Sequence, residues 1–295
     1  MPSLLTWIDH DPTARDRALR ILSLFQEKES RDELGLGAIR DSFADMLFPG
    51  TSTIQTRLRY MLFVPWVYRE LERKRIAPPH FAIKASQMEM ALVEPLLENE
   101  DQAGIFGRVA GKALKRLPSS VYWNGLGAWG VRLVSCSQDE YHRYIDEVYR
   151  RRDSIRGRYE EDDFTESETL TWHPRLPDPP DGFPDKIEGL NFNLKPDEAS
   201  FLLDRILKSQ EESLLVHLAL NCKPVECDFP WQHPDGEGFS KEHKDILNYA
   251  EFFSTIMHGA AFLYNLMLAE LAGREKRQEE HRNNPNPAIG CLAGL

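Results

Sequence analysis

The chain lacks the signatures of most familiar chemistries. Its 295 residues hold no Gly-x-x-x-x-Gly-Lys-Ser/Thr loop, no Gly-x-Gly-x-x-Gly after a strand and no Gly-x-Ser-x-Gly elbow. ATP hydrolysis and serine-hydrolase chemistry therefore have no sequence support. Cysteine is scarce: Cys136, Cys222, Cys227 and Cys291 are all there are. Such sparse usage points to a reducing cytosol rather than a disulfide scaffold. The opening run, MPSLLTWIDHDPTARDR, has acids and no apolar h-region, so no signal peptide is expected and a cytoplasmic location is. An excess of positive charge is also absent. The formal net charge is −11, which opposes simple electrostatic coating of DNA and favours protein partners. What is there is ordinary globular material, 41% apolar and 28% charged, enough for one large or two ordinary domains.

The informative stretch is Leu36–Ile76, which reads as two helices joined at Pro49-Gly50. Proline cannot continue the first helix and glycine tolerates its left-handed exit. Thr51, Ser52 and Thr53 then offer hydroxyls to cap a second helix starting near Thr51, with a kink at Pro65. In one reading this is a helix-turn-helix. Thr51, Ser52 and free backbone N–H groups hold a phosphate while Gln55, Arg57 and Arg59 reach base edges or backbone. In the blander reading it is a helical hairpin with a packed apolar stripe and solvated arginines.

Helices are expected at Pro12–Gln26, 82–99 and Ala103–Leu117, with Ser3–Ile8 packing Trp7 as a lead-in. Pro118-Ser119-Ser120 opens a short helix to Trp129, and Arg132–Val134 suits a brief strand. A winged-helix unit would aim Ser119, Ser120, Tyr122 and Asn124 at nucleic acid; the alternative packs Tyr122, Trp123 and Trp129 into a core. Ser137 with Glu140 makes a capping box for a long helix to about Tyr159.

Charge is unevenly spread. Residues 103–158 carry eleven basic against five acidic side chains, including Arg150, Arg151, Arg152 and Arg156. Residues 159–188 carry ten acids against two bases and many prolines. The basic run suits phosphate, a charged protein interface or plain solvation. The acidic run reads as an extended linker between a helical part at 1–158 and a helical C-terminal part at 189–295 ending in a flexible tail.

In the second part Pro196 opens a helix, Lys223–Phe239 is a loop, and Ser240–Arg282 reads as one long helix. Ile246, Ala250, Phe253, Met257, Ala260, Tyr264, Met267 and Leu271 recur at four- and three-residue steps, the spacing of a packing seam. No fixed charge occurs from Phe252 to Ala269. A bilayer span would bury Ser254, Thr255, His258 and Asn265 in hydrocarbon, so a bundle helix or a homo-oligomer seam over 240–272 is favoured over a membrane. Cys222 and Cys227 with His217 and His233 have loose zinc spacing, and no metal or other cofactor is expected. His258 reads as a core histidine rather than a general base.

The runs SLLTWIDHDPTARDRALRIL, DELGLGAIRDSFADMLFPGTSTIQTRLRYMLFVPWVYRELE, RLPSSVYWNGLGAWGV and AEFFSTIMHGAAFLYNLMLAEL together resemble an uncharacterised bacterial family catalogued as a domain of unknown function. The final run, NNPNPAIGCLAGL, departs from that family, which usually continues. Its members are often encoded near anti-phage defence genes such as helicases and phospholipase-D-like nucleases. The resemblance implies a role in genome defence and supplies no catalytic residues. The expectation is a mainly α, multi-helical protein with a helix-turn-helix-like N-terminal part, little strand and a long C-terminal helix. Its function would be that of a non-enzymatic nucleic-acid-binding or adaptor subunit with other defence proteins as partners. The alternatives are a scaffold docking a helicase or nuclease through the C-terminal helix, and a nuclease without a recognisable motif.

Overall fold

The computed structural model describes residues 35–111, 114–154, 170–184, 189–223 and 225–271, with backbone alone at 155–156. The helix expected at Pro12–Gln26, the Trp7 lead-in, the Arg156 side chain, half of the acidic linker and the tail after Leu271 lie outside the described residues. Two compact units divide at Phe43/Ala44. The first unit is described only over the opening turns of α1 (Leu36–Leu47); the rest of this section concerns the second.

That unit is mainly helical, with a long C-terminal helix as expected. It comprises α2 (Tyr60–Arg73), α3 (Pro78–Ala91), α4 (Val93–Leu97), α5 (Pro118–Ala128), α6 (Gln138–Arg156), α7 (Pro196–Ser209), α8 (Leu214–Asn221) and α9 (Lys241–Leu271). Among the described residues the only β pairing is an isolated antiparallel bridge between Arg132 and Trp172, so the brief strand expected at 132–134 does not extend.

The central element is α2. Tyr60, Met61, Leu62, Phe63, Val64, Trp66, Val67, Tyr68 and Leu71 are all buried, around every face of the helix. Its first nine residues, Tyr60–Tyr68, are apolar on every side, and such a run belongs in a core. The expected kink at Pro65 does not divide it: the residue sits within one continuous helix. Helices α3 and α5 pack beside α2, and α6 packs on α3. One core runs from Tyr60 through Trp123, Tyr141 and Trp172 to Ile206.

That core crosses the expected linker. Trp172, Leu176 and Leu190 are buried in it, Leu133 N donates to Thr171 O, and His173 N donates to Val131 O. The acidic, proline-rich composition concealed the fact that Trp172 and Leu176 are anchors. Residues 170–184 are therefore a packed strap rather than a spacer between separate cores.

Three other expectations change in detail. The second helix of the hairpin starts at Tyr60, so Thr51–Arg59 is a turn-rich loop. The physical reason is tertiary. The Tyr122 hydroxyl accepts from Thr56 N and Arg57 N and donates to Arg57 O, while Trp129 Nε1 donates to Pro49 O. These bonds satisfy the loop backbone without a helix. Residues 103–111 form turns, with Gly104 and Gly107 at φ +74° and +84°, where a continuous helix cannot run. The helix expected at 82–99 breaks at Leu92 into α3 and α4. The capping box at Ser137 and Glu140 is present: Glu140 N donates to Ser137 Oγ, and Ser137 N to Glu140 Oε2.

Candidate functional site

Of the nine residues expected to contact nucleic acid, the eight with described side chains do not form one surface. Thr51 Oγ1 donates to Phe48 O and so closes the end of α1 instead of capping a following helix. Ser52 is exposed and Gln55 Nε2 donates to Gly50 O. Arg57 holds Asp101 at 2.6 Å and donates through Nε to Ala103 O. Arg59 is only 4% exposed and forms a two-pronged ion pair with Glu198, itself 1% exposed, while its third nitrogen donates to Asn191 O. Such a pair holds the start of α2 to the first turn of α7, and a phosphate could reach it only by breaking it.

On α6, Arg152 reaches Glu72 at 2.5 Å and Thr171 Oγ1 at 2.9 Å. Arg150 and Arg151 are exposed, but Asp146 and Glu147 stand one turn away on the same faces. Arg57, Arg59 and Arg152 are thus paired with acids, and Arg150 and Arg151 are interleaved with them. Of the hydroxyls aimed at nucleic acid in the winged-helix reading, Ser119 and Tyr122 are buried, and Trp123 and Trp129 pack in the core. This is the outcome of the blander alternative.

Besides Glu198, two further buried carboxylates were not anticipated. Glu72 accepts from Tyr141 Oη, Thr171 Oγ1, Trp172 Nε1 and Arg152, so both of its oxygens are occupied. It lines a cavity of about 720 Å³ with Trp66, Arg69, Arg152, Thr171 and Trp172. There it works as a fixed anion that ties the 170–176 strap to α2 and α6. Glu89 lies near the end of α3 and accepts Ser119 N, in the first turn of α5, at 2.8 Å. Its other oxygen has no hydrogen-bond partner, and burial pushes its pKa up to about 7. Beside Ser119, Gln138 donates to both Ser119 Oγ and Tyr68 Oη, and Tyr68 Oη lies 2.9 Å from His142 Nε2. At 3% exposure Glu89 is out of reach of a solvent-borne substrate. Its chemistry is that of an internal helix-end ligand.

The most exposed apolar surface belongs to α9. Ser240 opens this helix, its Oγ accepting His243 N and its carbonyl accepting Lys244 N. The root is fixed by a small core of Leu47, Leu214, Phe239 and Leu247, and by His243 Nε2, 2.9 Å from Glu212 O. Beyond the root, Tyr249, Phe252, Ile256, Leu263, Tyr264, Met267 and Leu271 are exposed, from 51% at Leu263 to 85% at Leu271. Tyr249, Phe252, Ile256, Leu263, Met267 and Leu271 recur at steps of three, four, seven, four and four residues and form a stripe. It shares Met267 and Leu271 with the expected seam and is rotated from it, since Phe253 and Met257 are half-buried. Length and composition alone would also let α9 cross a bilayer. His258 is exposed and 3.2 Å from Ser254 Oγ, so the expected core position for it is not found.

One further cluster joins residues that the sequence considered only loosely. Cys222, His233 and Asp235 converge in the loop before α9, and Asp235 had carried no expectation. Burial, then the Asp235 carboxylate beside it, pushes the Cys222 thiol up. Cys227 is exposed.

The fold and these features define a multi-helical protein built around a buried apolar helix, with a long, apolar and largely exposed helix at its C-terminal side. The model of a family of unknown function, DUF6361, matches residues 2–284, and the chain belongs to that family. No curated protein and no solved structure matches it.

Proposed function

We propose that this protein is an adaptor of a bacterial defence system that docks a helical protein partner, of the helicase or nuclease kind, through α9. The observation that carries the reading is the apolar stripe Phe252–Ile256–Leu263–Met267, exposed on a helix with no fixed charge from Phe252 to Ala269. Soluble chains rarely leave a contiguous apolar patch of this kind uncovered, and an amphipathic helix laid against a groove is a recurrent means of covering one. Each large side chain fully removed from water contributes roughly 1.5–3 kcal/mol before the cost of association. The polar residues Ser254, Thr255, His258 and Asn265 on the same helix favour a protein surface over hydrocarbon. The defence setting rests only on the gene neighbourhood that the resemblance implies.

Nucleic-acid binding by the 51–59 loop and α6 loses its main support in the ion pairs of Arg57, Arg59 and Arg152. The test is capture of gene-neighbour products by the tagged full chain, with nuclease treatment before elution. Capture that survives the nuclease and is abolished by Ile256→Lys with Leu263→Lys, while the melting temperature holds, is the expected result. Nuclease-sensitive capture, capture indifferent to both substitutions, or flotation with lipid vesicles in place of capture would overturn the reading.

A further inference from the structure

The connection from α8 to α9 is long and nearly free of regular structure. Among its described residues between Asn221 and Lys241 it contains two single 3₁₀ turns, Pro230–Gln232 and Gly236–Gly238. Loops of this length in a compact unit usually have a function or a fastening of their own. Among the described residues its fastenings are side-chain packing and a link to α9, where Lys244 Nζ donates to Glu237 O at 2.7 Å and the Phe239 ring meets that of His217. Phe229 and Trp231 stack at 4.6 Å, Trp231 packs against the small cluster at the root of α9, and Phe239 belongs to that cluster.

Within this loop three donors of different chemistry meet. The Cys222 sulfur, a ring nitrogen of His233 and a carboxylate oxygen of Asp235 all lie within 4.8 Å of one another. Cys222 caps the end of α8, while the other two lie more than ten residues on, in the far half of the loop. Chain proximity therefore does not account for the meeting.

We propose that Cys222, His233 and Asp235 bind one divalent ion of the zinc class, with three protein ligands and a fourth position open to water. Thiolate and imidazole select a zinc-like ion over magnesium or calcium, which take oxygen ligands. In a tetrahedral site with bonds of about 2.0–2.3 Å the donor atoms stand roughly 3.3–3.8 Å apart, so the three need to close by about 1.5 Å at most. Cys222 and His233 are half-buried and Asp235 is exposed, which leaves the open position on the solvent side. One thiolate and one carboxylate neutralise the ion's charge.

Among the described residues, the one hydrogen bond at the His233 ring is that which Nδ1 accepts from Asp235 N, at 3.1 Å. A metal on Nδ1 displaces it directly. A metal on Nε2 moves the ring proton to Nδ1 and breaks the same bond. In return the ion clips the end of α8 to the segment that carries Phe239 and Ser240 into α9. Closing so long a loop restricts the unfolded chain as well as holding the folded one.

The full chain, stripped with a chelator and titrated with Co²⁺, tests the site. One equivalent should bind with a sulfur-to-cobalt charge-transfer band that disappears in Cys222→Ser and in His233→Ala and persists in Cys227→Ser. Zn²⁺ should raise the melting temperature and slow alkylation of Cys222 by N-ethylmaleimide about tenfold or more, because a metal-bound thiolate is no longer free to attack. A wild-type protein without the charge-transfer band, a band that survives Cys222→Ser, or a Cys222 alkylated equally fast with and without Zn²⁺ would overturn the proposal. The alkylation experiment uses the unsubstituted chain, so it decides the matter even where a variant fails to fold. It is also indifferent to whether α9 docks anything.

Discussion

Helices α2 and α9 have opposite fates. The first carries Arg69, Glu70, Glu72 and Arg73 and is nonetheless buried nearly throughout; the second has no fixed charge from Phe252 to Ala269 and leaves much of that length exposed. Apolar content alone does not decide burial. Helix α2 is buried because its polar groups have partners: Glu72 has four side-chain donors, and Trp66 Nε1 donates to Pro177 O. Among the described residues nothing covers the face of α9 marked by Phe252, Ile256 and Leu263, and this is the face assigned to the proposed partner.

The comparison can be broken most severely at the ion pair that holds the start of α2. Arg59→Ala strands Glu198 at 1% exposure and should cost about 3–5 kcal/mol, read in urea melts. Replacing both partners with apolar residues should recover much of that loss. A loss under about 1 kcal/mol for Arg59→Ala would mean that the pair is not what fixes α2.

Truncation of matched residues gives the next contrast. Leu62→Ala should cost about 2–5 kcal/mol, whereas Leu263→Ala, on a residue 51% exposed, should stay within about 0.5 kcal/mol in the isolated protein. Equal losses would show α9 to be as much a core element as α2.

The pH dependence of Glu89 provides a third measurement. Its folded pKa, raised to about 7 from 4.5, means that the folded state holds a proton the unfolded chain has already released. Its contribution is complete below about pH 4.5 and is lost as pH rises through 7, amounting to about 3 kcal/mol. Glu89→Gln should flatten the stability profile between pH 4.5 and 7.5; an unchanged slope would reject the assignment. The smallest effect is expected at Arg150 and Arg151. Their double replacement by alanine should shift the melting temperature by a degree or so at most, since exposed charges on a helix contribute tenths of a kcal/mol. A clear loss of DNA or RNA retention at low salt in that variant would restore the phosphate-binding reading of α6.

How much of this was legible in the sequence follows from which forces are local. The mainly helical class, the turn at Pro49-Gly50, the box at Ser137 and Glu140, and a long helix reaching at least to Leu271 are encoded by nearby residues and could be read. The start of α2 could not, because the bonds that hold Thr56 and Arg57 out of a helix come from Tyr122, more than sixty positions away. The fate of the arginines was hidden for the same reason: Arg59 meets Glu198 at a separation of 139 residues. The acidic stretch misled because composition averages over Trp172 and Leu176, the side chains that enter the core. Asp235 escaped notice because a lone aspartate in a loop carries no pattern until a cysteine and a histidine lie beside it.

A methyl group added at Gly125, in the middle of α5, would stand 2.3 Å from the carbonyl oxygen of Gly50 and 2.8 Å from Met61 Cε. The first obstacle is main chain, so no rotamer relieves it. Gly50 has no room either, since a Cβ there would meet the Trp129 indole at 2.5 Å. Neither position can be exchanged to accommodate a change at the other. A single-atom enlargement in α5 would therefore push away the chain around Pro49, release the Trp129 indole from the Pro49 carbonyl, and unsettle the entry to the most deeply buried helix of the molecule.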